Sequence, residues 1–144
     1  MKFMDIKFSV ALHIMVMISE STDVQNSETL ANSVNTNPSY IRKITALLKK
    51  AGIIESTQGK SGMSLLKNSK DINLLEIYQA VHPNEVKLLN VHTDVNPECP
   101  VAQNIEAVLN PIFTDAEQQL FQSLKARTLE EVIKQMKDNH IESF

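Results

Sequence analysis

Two groups of residues in this sequence are equipped for chemistry. The first is Ser39, Tyr40, Arg42 and Lys43, crowded behind Asn37-Pro38. Asn as N-cap with Pro at the first helical position marks the start of a helix. The four side chains then stand in its first turns, with Ile41 and Ile44 interleaved and facing inward. A guanidinium there forks to guanine or to a phosphate, an ammonium and two hydroxyls add donors, and the helix N-terminus itself favours phosphate. The plainer reading is an ordinary solvated basic face of Arg42, Lys43, Lys49 and Lys50. The second group is a single residue, Cys99, the one cysteine of the chain, bracketed by Pro97 and Pro100 at the start of a helical pattern. Thiols at helix N-termini tend toward the reactive thiolate. A small packing residue is the plainer reading here.

These groups need a scaffold, and the hydrophobic pattern supplies one. Residues 5–19 form a helix that is apolar nearly all round, so it is buried on several sides, a partner subunit included. Ser27 caps a short helix to Val34, and Asn35-Thr36-Asn37 make a turn. The helix from Pro38 runs to about Ala51 and stops at Gly52, where a left-handed residue is wanted. Residues 53–57 and 63–66 read as two strands joined by the turn Gln58–Gly62, its two glycines supplying positive backbone angles. A helix over Leu74–Val81 follows, capped by Asn73 or Asp71. Residues 84–100 are irregular. One long helix spans Val101 to about Lys125, bent at Pro111, and Thr128 with Glu131 begins a last helix as a capping box.

Helix, helix, turn, capped helix and glycine-tipped hairpin make a winged helix-turn-helix. The expected fold is mainly α with a small β-hairpin wing and a long C-terminal dimerisation helix. Residues 1–83 form the DNA-binding domain, 84–100 a connecting loop carrying Cys99, and 101–144 the dimerisation helices. The Pro38 helix enters the major groove. Ser27 and Thr29 touch backbone phosphates, Asn37 caps at the interface, and Lys60 with Gln58 and Ser61 brings the wing to the duplex.

Composition bounds the alternatives. The chain has 144 residues, 42% of them hydrophobic, enough to build a core, and only 5% aromatic with no Trp. Its net charge of -3 is not that of a nonspecific nucleic-acid coat, so DNA binding must rest on a local patch. One cysteine builds no disulfide framework, and no apolar run reaches the roughly 18 residues of a membrane span. The expectation is a cytoplasmic protein without membrane contact. His82, His92 and Cys99 fit no metal-ligand spacing, and His13 reads as packed, so neither metal nor cofactor is assigned. No nucleophile–base pair, carboxylate pair or phosphate loop stands at a useful spacing, so an enzyme is not expected.

The stretches FSVALHIMVMI, NPSYIRKITALLKKAGIIES, QGKSGMSLLK, INLLEIYQAV, PECPVAQNIEAVLNPIF and TLEEVIKQM together resemble the Rrf-two family of bacterial winged-helix regulators, which includes IscR, NsrR and CymR. The resemblance covers most of the chain. It implies a homodimer joined by the long helix, which exchanges contacts with the partner's first helix. Iron–sulfur members carry three closely spaced cysteines before that helix, whereas only Cys99 stands there in this chain; a cluster needs several thiolates. The sequence resembles instead the thiol-switch subgroup, such as the hypochlorite-sensing regulator HypR, in which a second cysteine pairs with this one across the dimer. Were the chain a cysteine-to-serine variant, Ser33 would mark a second redox position.

The resulting expectation is a homodimeric repressor on a palindromic operator, controlled by oxidation of Cys99. Two alternatives remain: a small-molecule-responsive regulator whose dimer interface encloses an effector pocket lined by Met15, Met17 and the apolar long helix, and a winged-helix protein-interaction module without DNA binding.

Overall fold

The computed structural model describes residues 5–57, 62–84 and 87–139. In chain order its elements are α1 (Lys7–Glu20), α2 (Ser27–Val34), α3 (Pro38–Lys50), β1 (Ile54–Ser56), β2 (Met63–Leu65), a 3-10 turn (Ser69–Asp71), α4 (Leu74–Val81), α5 (Pro100–Lys125) and α6 (Leu129–Asp138). The strands pair antiparallel, Ile54 opposite Leu65 and Ser56 opposite Met63. The expected mainly helical fold with a small hairpin is what forms. The wing tip carrying Gln58, Lys60 and Ser61 lies outside the described residues.

The start of α2 differs from expectation. Its cap is Asn26, not Ser27. Asn26 Oδ1 accepts from the backbone N–H groups of Glu28 and Thr29, both at 3.0 Å, and Thr29 Oγ1 accepts in return from the Asn26 N–H at 2.9 Å. This reciprocal box is closed by a hydroxyl three residues after the cap, which Asn26 has and Ser27 lacks. At the other end Asn35 takes the left-handed conformation (φ 63°) that few residues other than glycine accept. For α3, Asn37 Oδ1 accepts from the Tyr40 N–H at 2.9 Å, as its pairing with Pro38 foretold. Its end is a Schellman turn: Gly52 (φ +75°) donates to Lys49 O at 3.0 Å and Ile53 to Leu48 O at 3.1 Å. The last helix is capped by Thr128 Oγ1, which accepts from the Glu131 N–H at 3.2 Å. The Glu131 carboxylate turns to Arg127 at 3.0 Å, so the expected reciprocal box is only half made.

Gly62 has a different role from the one expected of a turn glycine. Among the described glycines only Gly52 has a left-handed φ. Gly62 is buried, and a Cβ on it would overlap Val24 Cγ1, so it is required by close approach of the wing to the segment before α2. Gly62→Ala is expected to cost about 1–3 kcal/mol, as for other overpacked sites. Val24 is half exposed, so Val24→Ala in the same chain relieves most of that cost. Urea unfolding of both variants checks this; equal midpoints for Gly62→Ala and wild type would show that the loop simply yields.

The core forms around α1, whose Ile14 and Met15 are fully buried. Against it lie Leu30 of α2, Ile41, Ile44 and Leu48 of α3, and Ile77 and Val81 of α4. Leu129 and Ile133 of α6 belong to the same cluster, although they come from the far end of the chain. The Leu129 N–H donates to Ile72 O and the Leu74 N–H to Arg127 O, both at 2.9 Å. Lys137 Nζ reaches Glu20 at 2.9 Å and, through that hydrogen bond, holds the Glu20 carboxyl below its usual range.

The long α5 is attached to this body mainly by its C-terminal part. Phe121 lies 5.9 Å from the Tyr78 ring, and Leu124 packs on the core. Glu117 is buried, its carboxylate accepting from the backbone N–H groups of Leu88 and Leu89 and so fastening the connecting loop to the helix. The N-terminal two-thirds leave Val101, Val108 and Ile112 in solvent, at 69%, 56% and 57% exposure. Pro111 sits within α5 and removes one helical N–H donor there.

Candidate nucleic-acid interface

Each functional side chain of the helix-turn-helix is placed by a local rule already visible in the fold. The Asn37 cap starts α3, and burial of Ile41, Ile44, Thr45 and Leu48 fixes its rotation. With about 3.6 residues per turn, the opposite face must carry Ser39, Arg42, Lys43, Ala46, Lys49 and Lys50, and all six are exposed. Tyr40 is placed otherwise: it is half-buried and packs against the core. Its position three residues before Lys43, one turn from the exposed strip, did not reveal that.

The electrostatics are local, as a chain of net charge -3 requires. Residues 26–66 carry five cations against two carboxylates. Lys7, Lys67, Arg127 and Lys137 each form an ion pair within 4.0 Å. Among the described residues no such pair is made by Arg42, Lys43, Lys49 or Lys50. Unpaired cations clustered on one helix face are the footprint of a polyanion site.

Beside that face runs a polar cleft of about 420 Å3 between the start of α2, α3 and the strands of the wing. Ser27, Glu28, Arg42, Lys49 and Ser56 line it. Arg42 Nη2 donates to Ser39 Oγ at 3.3 Å, which steadies the guanidinium at the cleft edge. The structure therefore brings together Ser27, Ser39 and Arg42, with Lys43 on the adjoining face. It leaves the Thr29 hydroxyl committed to the α2 cap, accepting from Asn26 N and donating to Asn26 O. Lys49 and Ser56 were missed as site residues. For Lys49 the signal was its spacing of seven from Arg42, two helical turns on the same side.

Cys99 stands at the N-cap position of α5, half-buried, and its side chain makes no capping hydrogen bond. Ser33, on α2, is hydrogen-bonded by its Oγ to His13 Nε2 at 2.8 Å. That pair and Ser9 are the polar points of an otherwise apolar groove of about 700 Å3, lined by Phe8, Leu12, Val16 and Met17 of α1 and by Val132 and Met136 of α6. Among the described residues no helix is long and apolar enough to cross a membrane.

Known proteins agree with this architecture. The model of the Rrf2 family, described as iron-dependent transcriptional regulators, matches residues 4–135. YwnA of Bacillus subtilis (strain 168), whose name describes an HTH-type transcriptional regulator, is 40% identical over 127 residues, covering 88% of this chain and 94% of its own. A crystal structure of a protein described as DNA-binding superposes with a TM-score of 0.71 at 37% identity, covering 88% of this chain and 98% of that one. CymR of B. subtilis, named the global cysteine regulator, shares the fold with a TM-score of 0.64 at 18% identity, over 93% of this chain and 98% of its own. The residues present do not fit an iron–sulfur cluster of the kind some family members hold. The chain has one thiol, and among the described residues no three His, Cys, Asp or Glu side chains converge on a common point. The match over nearly the whole chain, on a helix-turn-helix whose exposed face clusters four cations, places the protein in the Rrf2 family as a DNA-binding transcriptional regulator.

Proposed function

We propose that the chain acts as a homodimeric repressor on a palindromic operator and that oxidation of Cys99 releases it from DNA. The observation that carries the dimer is the apolar stripe of α5. Val108 and Ile112 lie one turn apart, with Val101 two turns before Val108 on the same side, and all three stand in solvent in the single chain. Large exposed apolar patches on a soluble chain mark interaction sites. The groove on α1 and α6 is an apolar surface of matching character, and a second copy of α5 covers it. A two-fold dimer presents two α3 helices, and two half-sites about one DNA turn apart then make a palindrome. Repression is the direction of control that the sequence resemblance favours.

The regulatory part rests on position. Cys99 begins the helix that joins the subunits, and its thiol is not engaged in capping. Hypochlorite or a peroxide takes two electrons from the thiolate to give a sulfenic acid, which a second thiol converts to a disulfide with loss of water. Either product is bulkier and differently charged at the start of α5. Because α5 meets the head through Phe121 and Leu124, a shift of the helix changes the spacing of the two heads. The switch needs a difference in free energy between the two arrangements, not reaction alone.

Fluorescence anisotropy on DNA from upstream of its own gene tests the reading, with scrambled duplex as competitor across a salt series. Reduced protein is expected to prefer the upstream duplex, and one equivalent of hypochlorite to abolish that preference in wild type but not in Cys99→Ala. Equal loss in Cys99→Ala would remove Cys99 as the sensor. Binding absent at every salt concentration would favour a protein-interaction module.

A further inference from the structure

The exposed face of α3 is not uniform. Arg42 and Lys49 are seven residues apart, so they share one flank of the helix, and both line the polar cleft beside the wing. Ser39, Lys43 and Ala46 are exposed on the adjoining strip and do not line it. We propose that the cleft seats one phosphodiester of the duplex, gripped by Arg42 and Lys49, and that the strip Ser39–Lys43–Ala46 reads the bases. This rests on the reading that duplex DNA is the ligand, and it assigns separate tasks to residues that sequence alone treats as one basic helix.

Four observations meet at the cleft. Neither Arg42 nor Lys49 has a carboxylate within 4.0 Å among the described residues, although Glu28 lines the same cleft. A phosphate entering between the two cations gains charge-assisted hydrogen bonds without first breaking an ion pair. The hydroxyl-bearing residues Ser27, at the start of α2, and Ser56, in β1, also line the cleft, where they add neutral donors. The α2 amides of Glu28 and Thr29 are already taken by Asn26 Oδ1, so the seat is built from side chains rather than from the helix end. Lastly, the walls are held at a fixed separation, because buried Gly62 leaves no room for a Cβ against Val24. Arg42 also donates to Ser39 at the edge of the strip, which holds its guanidinium at the boundary between cleft and strip. On that strip an exposed methyl at Ala46 suits the methyl group of thymine, and Lys43 suits the acceptors of guanine.

The division predicts opposite signatures for two kinds of variant. A duplex is first selected from a random-sequence pool with the wild-type protein. Binding to the selected duplex and to its scrambled version is then followed by anisotropy across a potassium chloride series. Arg42→Gln and Lys49→Gln are each expected to weaken binding to both duplexes by the same factor, and the double variant to lower the salt slope by about 0.9, the one phosphate that the pair shares. Lys43→Gln and Ala46→Ser are expected to cut the ratio between selected and scrambled duplex by between about five- and a hundredfold. All four positions are exposed, and matching thermal melts confirm the fold. If the double variant collapses the ratio with the slope intact, or changes neither, the phosphate seat is wrong while DNA binding stands. If wild type enriches no duplex and binds none at low salt, the DNA reading fails together with it.

Discussion

Ile112→Glu is expected to convert the proposed dimer to a monomer and to weaken operator binding by roughly a hundredfold or more, because two linked heads lose their shared effective concentration. Ile112 is 57% exposed in the single chain and belongs to the apolar stripe with Val101 and Val108. Inside a dimer interface a lone carboxylate has no partner, and an unpaired buried charge is strongly destabilising. The same carboxylate on a free helix surface costs little, so the monomer keeps its helix content. Sedimentation equilibrium reads the mass and anisotropy the affinity. Gln118→Glu, exposed on the same helix, is the control for added charge alone. A mass unchanged by Ile112→Glu would mean that the α5 stripe is not the dimer contact.

The second large effect is on stability. Leu129→Ala removes a fully buried side chain from the one cluster that also holds Ile14, Ile44 and Leu30. Buried Leu→Ala changes cost about 2–5 kcal/mol, the spread reflecting how far the cavity collapses. Domains of this size are stable by only about 5–15 kcal/mol. The substitution lies far in sequence from the helix-turn-helix, yet it is expected to melt α1, α3 and α6 together, since Leu129 also docks its N–H on Ile72. Circular dichroism should show one transition at lower temperature. A separate, unshifted transition for the N-terminal helices would show that they fold without α6.

Local structure was legible in the sequence wherever one residue type answers one local need. The Asn37-Pro38 start and Gly52 end of α3 are cases of this kind, since a cap oxygen, a preset φ and a left-handed residue are requirements of the backbone alone. The span Leu74–Val81 was legible from its helical apolar spacing, whereas the choice between Asn73 and Asp71 as its cap fell to Asn73 through the reciprocal bond with Glu76. Asn26 was missed because Asn26 and Ser27 are both good caps, and the choice depends on Thr29 reaching back.

What the sequence hid are relations between distant residues. Gly62 looked like a turn glycine, but its need for no side chain comes from Val24, nearly forty residues earlier in the chain. Tyr40 and Lys43 stood together as polar side chains near the helix start, and only the rotation of α3 against the core turned Tyr40 inward and left Lys43 in solvent. Glu117 reads as one more exposed helix carboxylate until the loop at Leu88 and Leu89 closes over it. Sequence by itself determined the elements, the cap of α3 and the basic helix, because those follow from short-range backbone geometry and hydrophobic period. Tertiary structure decided which cations share the cleft, which aromatic is buried and that α6 completes the head, because those outcomes depend on which surfaces exclude water together.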